Sequence, residues 1–151
     1  MTRAVNTALA GSGGVLQVVQ ATTTTTTSSS TTGVWIAIAD YSVTITPTSS
    51  ASKILLLGSC GLIADADSDG QTGNGFFRGL RNGSAIFTTN NSIFSRGGQQ
   101  HFTSVDIKYL DSPSSTSALT YTFEFNISAT NRPVIANAVD LATIIAMEIA
   151  G

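Results

Sequence analysis

Asp65-Ala66-Asp67-Ser68-Asp69-Gly70 sets three carboxylates at alternate positions ahead of a glycine. In a calcium loop that spacing turns carboxylate oxygens toward one hard cation, and the glycine permits the sharp turn. The twelfth position of such a loop carries a bidentate glutamate, and here it is Phe76. The flanks read as strands rather than helices. Asp65, Asp67 and Asp69 are therefore candidate calcium ligands in what is otherwise a solvated acidic loop, and no other cofactor is expected. His101 is the single histidine, which removes any multi-histidine metal site and leaves a hydrolytic triad with one base to draw on. No nucleophile motif such as G-x-S-x-G accompanies it, so a surface or interface histidine is expected. Asp106, Asp111 and Glu124 fall on or near one expected hairpin, and paired carboxylates can cleave a glycosidic bond. Asp106 and Glu124 lie on the polar parity of their strands, which makes a solvated face the expectation and an enzyme not. Arg78 and Arg81 stand beside Phe76 and Phe77, the residue types that anchor protein contacts. A strand with its phenylalanine in the core and its arginines on the rim accounts for the same four residues.

The elements that position these residues are strands. Leu119 to Ile127 alternates apolar and polar side chains without a break, placing Leu119, Tyr121, Phe123, Phe125 and Ile127 on one face of an extended chain. Val105, Ile107 and Tyr109 repeat the pattern upstream, across a loop of Ser, Pro and Thr, and the two segments read as an antiparallel hairpin. Val15 to Ala21 reads as a first strand, and the Thr/Ser tract 22–32 as an extended connector or edge strand. Trp35, Tyr41, Val43 and Ile45 share one parity, with Pro47 closing their strand. Lys53 to Ile63 is apolar on both parities, which marks a central strand. Asn82-Gly83 predicts a type I′ hairpin joining 76–81 to 84–87. The chain ends with Leu141, Thr143, Ile145, Met147 and Ile149 on the expected core parity and Glu148 on the other. About eight strands with polar turns and no helix imply an all-β, antiparallel β-sandwich, jelly-roll-like, over 15–151, preceded by a short flexible N-terminal arm over 1–14.

Composition narrows the partners. The chain has 151 residues, with seven basic and nine acidic side chains for a net charge of −2. A phosphate backbone is not expected to bind so uncharged a surface, and no apolar run reaches the length of a membrane span. The N-terminus lacks the apolar core of a signal peptide, so synthesis in a cytoplasm is expected. Cys60 cannot form an intramolecular disulfide because it is the one cysteine, and its apolar surroundings suit a small buried side chain. The sequons at Asn82, Asn90 and Asn126 matter only on a secretory route. Strands with aromatic and aliphatic residues on both faces and few charges predict a homotrimer, with part of the apolar surface between subunits.

Several segments carry a resemblance: Gly14-Val15-Leu16-Gln17-Val18-Val19, Ser42-Val43-Thr44-Ile45-Thr46-Pro47, Ser52-Lys53-Ile54-Leu55-Leu56, Ile107-Lys108-Tyr109-Leu110-Asp111-Ser112-Pro113 and Ile145-Ala146-Met147-Glu148-Ile149-Ala150-Gly151. Together they resemble a β-sandwich domain of virion proteins from tailed phages, marine and cyanobacterial ones especially. Members occur at tail-fibre ends and as capsid-associated proteins, with a sandwich similar to the trimeric heads of C1q and tumour-necrosis-factor-like proteins. The resemblance implies a virion location and brings no catalytic residues. A fibre needs a long shaft, whereas an arm of about fourteen residues reaches at most ~50 Å. It therefore points to a capsid decoration or cement protein that contacts the major capsid protein, its arm adding Val5 and Leu9 to an interface with Phe76, Phe77, Arg78 and Arg81. A tail-fibre tip or small tail component, partnered by tail and fibre proteins and binding a host receptor, is the second expectation.

Overall fold

A computed structural model describes residues 3–5, 14–64, 73–95, 101–127, 134–136 and 141–151. Among them the strands are β1 (Arg3–Val5), β2 (Val15–Thr23), β3 (Thr27–Ser29), β4 (Ile36–Ile45), β5 (Lys53–Ala64), β6 (Gly73–Arg81), β7 (Ser84–Ser95), β8 (His101–Asp111), β9 (Leu119–Ile127), β10 (Val134–Ala136) and β11 (Ala142–Ile149). β2, β11, β5 and β8 lie side by side in a larger sheet that β1, β3 and β10 extend. β4, β9, β6 and β7 form the smaller sheet. All these strand pairs are antiparallel.

The pairing is nested. At its centre, Asn82 and Gly83 take φ of 49° and 81°, the two positive values a type I′ turn requires, and β6 returns as β7. Outward from that tip β5 pairs β8, then β4 pairs β9, then β2 pairs β11. The chain is one long hairpin rolled so that successive double strands alternate between two sheets, which is a jelly-roll β-sandwich. The Thr/Ser tract behaves as its β-branched composition predicts: it finishes β2 and supplies β3, a three-residue strand at the sheet's end.

Three expectations are corrected. β8 and β9 do not form a hairpin with each other, because β8 pairs β5 in the larger sheet and β9 pairs β4 and β6 in the smaller. The loop between them crosses from sheet to sheet, and alternation alone cannot distinguish a turn from such a crossing. Trp35 does not share the core face of Tyr41, Val43 and Ile45. Asp40, at φ 56°, sits in a bulge where the register shifts between Ala37 and Ser42, so inward parity changes from Ile38 to Tyr41. In β11 the inward residues are Ala142, Ile144, Ala146 and Glu148, each 0% exposed, while Thr143, Ile145, Met147 and Ile149 take the outer side.

The core lies between the sheets. Tyr41, Phe77, Tyr121, Phe123 and Phe125 fill it with Ile45, Ile54, Leu56 and Leu62, and the ring of Phe123 lies 5.0 Å from that of Tyr41 and 5.8 Å from that of Phe77. Cys60 is buried, as its apolar run predicts. The Tyr41 hydroxyl reaches the carbonyls of Ser59 at 3.1 Å and Thr143 at 3.0 Å, so its one proton serves the place where β5 and β11 meet. Gly58 makes room for that approach, since a Cβ there would overlap the Thr143 carbonyl and crowd the Tyr41 hydroxyl.

Candidate functional site

The two buried carboxylates of the described residues, Asp111 and Glu148, are each held in a structural tie. Asp111, at the end of β8, accepts from Arg81 Nη1 at 2.9 Å on both carboxylate oxygens and from the Tyr121 hydroxyl at 2.7 Å. Those three residues belong to β8, β6 and β9, so the charged pair binds one sheet to the other. Burial pushes the Tyr121 hydroxyl's pKa up, and its hydrogen bond to Asp111 raises it further. Glu148 is fully covered and accepts from Gln17 Nε2, Thr48 N and Thr48 Oγ1, each at 2.7 Å. Burial alone would raise its pKa, but the Gln17 amide, the nearby Ser52 hydroxyl and the two Thr48 donors outweigh it and hold the carboxyl below its usual value. This tie fixes the last strand to β2 and to the loop after β4.

On the outer side of the smaller sheet, Glu124 accepts from Arg78 Nε at 2.7 Å, and the Arg78 guanidinium stacks 4.2 Å from the centre of the Trp35 ring. Asp106, Asp111 and Glu124 thus stand apart: one exposed, one buried against Arg81, one on the other sheet. They form no pair of the kind that cleaves glycosides. Among the described residues no group of three His, Cys, Asp or Glu side chains converges. Asp65, Asp67, Asp69 and Leu9 lie outside the described residues, and Val5 is placed only as backbone in β1. Phe76, Phe77, Arg78 and Arg81 are separated: Phe77 is 0% exposed in the core, Arg81 turns to Asp111, and Phe76 and Arg78 pair with Asn126 and Glu124 on the outer side. Asn126 itself is buried, and His101 opens β8 as an exposed residue.

What the strands do assemble is a surface. Directly opposed residues of antiparallel strands share a face, so the register aligns Val18, Met147, Leu55 and Leu110 in one row across β2, β11, β5 and β8. Gln20, Ile145, Leu57 and Lys108 form the adjacent row. Leu110 is 51% exposed, and Val18, Leu55, Leu57, Ile145 and Met147 are half-buried and stand outside the cluster between the sheets. Beside the start of β11 the face continues into an open depression of about 510 Å³ lined by Ser59, Gly61, Ile63, Phe102 and Leu141, with Phe102 and Leu141 well exposed. The smaller sheet presents the opposite chemistry. Its outer side carries Ser42, Thr44, Thr120 and Thr122, with Thr44 and Thr120 joined by a 2.9 Å hydrogen bond between their hydroxyls. Sequence reading misses the apolar face because it assigns Ile145 and Met147 to the core. The available signal is Glu148, which shares the parity of Ile144 and Ala146 and has donors in Gln17 and Thr48 to make its burial tolerable.

No protein-family model matches the chain, and no curated protein matches it. Among solved structures it is similar to the Gx strain of infectious bursal disease virus, at TM-score 0.42 and 12% identity over 99% of this chain and 37% of that one. It is similar also to the Gt strain, at TM-score 0.40 and 12% identity over 89% and 38%, and to the VP2 subviral particle of that virus, at TM-score 0.41 and 12% identity over 89% and 37%. The chain spans less than two-fifths of the length of each of these structures.

Proposed function

We propose that this chain is a phage virion structural protein, a decoration or cement protein that binds the outer surface of the head as a homotrimer. The observation that carries the reading is the contrast between the two outer faces of the sandwich. A hydroxyl-rich face is at ease in water, whereas a row of Val18, Met147, Leu55 and Leu110 beside Ile145 and Leu57 gains by being covered. Association through the larger sheet covers that row in each subunit and leaves the hydroxyl-rich face outward. The resemblance to virion sandwich domains supplies the setting, with the major capsid protein as the partner. Asp106, Asp111, Glu124 and Glu148 are each accounted for without a reaction, which favours a binding and packing role over catalysis.

Quantitative mass spectrometry of purified virions tests the location. A cement protein is expected in hundreds of copies, comparable in number to the major capsid protein, because it occupies a repeated lattice and its weak contacts add through multivalency. A ratio of a few per cent would overturn the head assignment and place the chain in the tail.

A further inference from the structure

The larger sheet has a second unpartnered feature, at its edge rather than on its face. Among the described residues β8 pairs only with β5, and does so in unbroken register from His101 opposite Ala64 to Asp111 opposite Ile54. An edge this long and regular is a template for a further strand unless something blunts it. The other long edges are interrupted. β7 shifts register against β6 at two places, and β4 carries the Asp40 bulge. β8 has neither a bulge nor a proline. The Tyr109 hydroxyl donates to the Ile86 carbonyl of β7 at 3.0 Å and its ring lies 5.0 Å from that of Phe87, so the sandwich is stapled from within while no described strand occupies the outer edge of β8.

The residues on that edge select their own partner. Asp106 and Lys108 project from the outer face at 62% and 79% side-chain exposure, and their charged groups are 4.0 Å apart. Set antiparallel against the β8 of a second copy with Ile107 opposite Ile107, each Asp106 comes directly opposite a Lys108, twice by the two-fold symmetry. Sliding the strands into the registers that oppose Asp106 to Asp106, or Lys108 to Lys108, places like charges together and disfavours those registers. The same alignment sets Val105 against Tyr109 on the inner face. We infer that β8 joins β8 of a second copy, making one sheet continuous through two subunits, by a contact distinct from the apolar face proposed for the trimer. On a head such a contact would link neighbouring trimers.

Charge variants test it, read by sedimentation velocity over a concentration series to tens of micromolar. Both positions are exposed, so the fold tolerates the changes. Lys108→Glu alone and Asp106→Lys alone each turn two attractive pairs into two repulsive ones and should weaken pairing at least tenfold. In a mixed pair of the two variants, both acidic side chains of the Lys108→Glu copy face lysines of the Asp106→Lys copy, so the mixture should pair as the wild type does. The trimer is read separately through Met147→Asp, in the middle of the apolar row, which should remove the unit held by that face while leaving β8 pairs. Unchanged association in Lys108→Glu, a mixture no better than its components, or a wild type that never exceeds three chains would each overturn the β8 contact.

Discussion

Glu148 shows how much a single residue's setting decides. A carboxylate on the core-facing side of the last strand would be costly to bury unpaired, yet three donors at 2.7 Å make the ionised form the stable one. Because its folded pKa is depressed, its contribution is present above the ordinary carboxylate pKa and is lost as pH falls through the lower folded value. Glu148→Gln should therefore cost about 1–3 kcal/mol near neutral pH, since the Thr48 donors would then meet an amide. Thermal unfolding followed from pH 7 down to 2 should show the wild type losing this advantage below pH ~4 and converging on the variant. A constant gap across that range would contradict the assignment. Alternation makes the aromatic core of β9 legible residue by residue: Tyr121, Phe123 and Phe125 are all 0% exposed. It cannot reveal the Arg81–Asp111 tie, whose partners lie 30 positions apart in the chain and meet only once the sheets are stacked.

At the scale of elements, the Asn82-Gly83 turn is the most informative signal because it fixes the centre of the nested pairing. Around that tip β5 lies against β8 and β4 against β9. The expected β8–β9 hairpin is absent because loop composition shows where the chain turns, not which sheet it returns to. The Asp40 bulge is equally hidden, as an aspartate is only one of several residues tolerant of positive φ. Gly83 offers a clean test of the turn. It has φ +81°, and the place a Cβ would take has no neighbour within 4 Å, so Gly83→Ala meets no clash and carries only the left-handed backbone penalty, about 1–2 kcal/mol. Chemical denaturation of the two proteins should show that loss with an unchanged denaturant dependence. Equal midpoints would mean that the turn does not require positive φ.

For the whole molecule, fold class is legible in the sequence and the apolar outer face is not, and the reason is physical. Strand period and turn chemistry are local, so an all-β sandwich follows from them. Which parity of an amphipathic strand faces inward depends on its neighbours, and β11 is apolar on both sides. Assigning Ile145 and Met147 outward converts residues that look like core into the centre of an apolar face lying opposite a sheet of threonines. The central claim is that this face holds three copies together, and sedimentation equilibrium of the wild type beside Met147→Asp at low micromolar concentration tests it most directly. The expected result is a unit of three 15.6 kDa chains for the wild type and a shift to smaller species for Met147→Asp, both folded by circular dichroism. A wild type that sediments as a single 15.6 kDa chain, or a variant that keeps the wild-type mass, would contradict it.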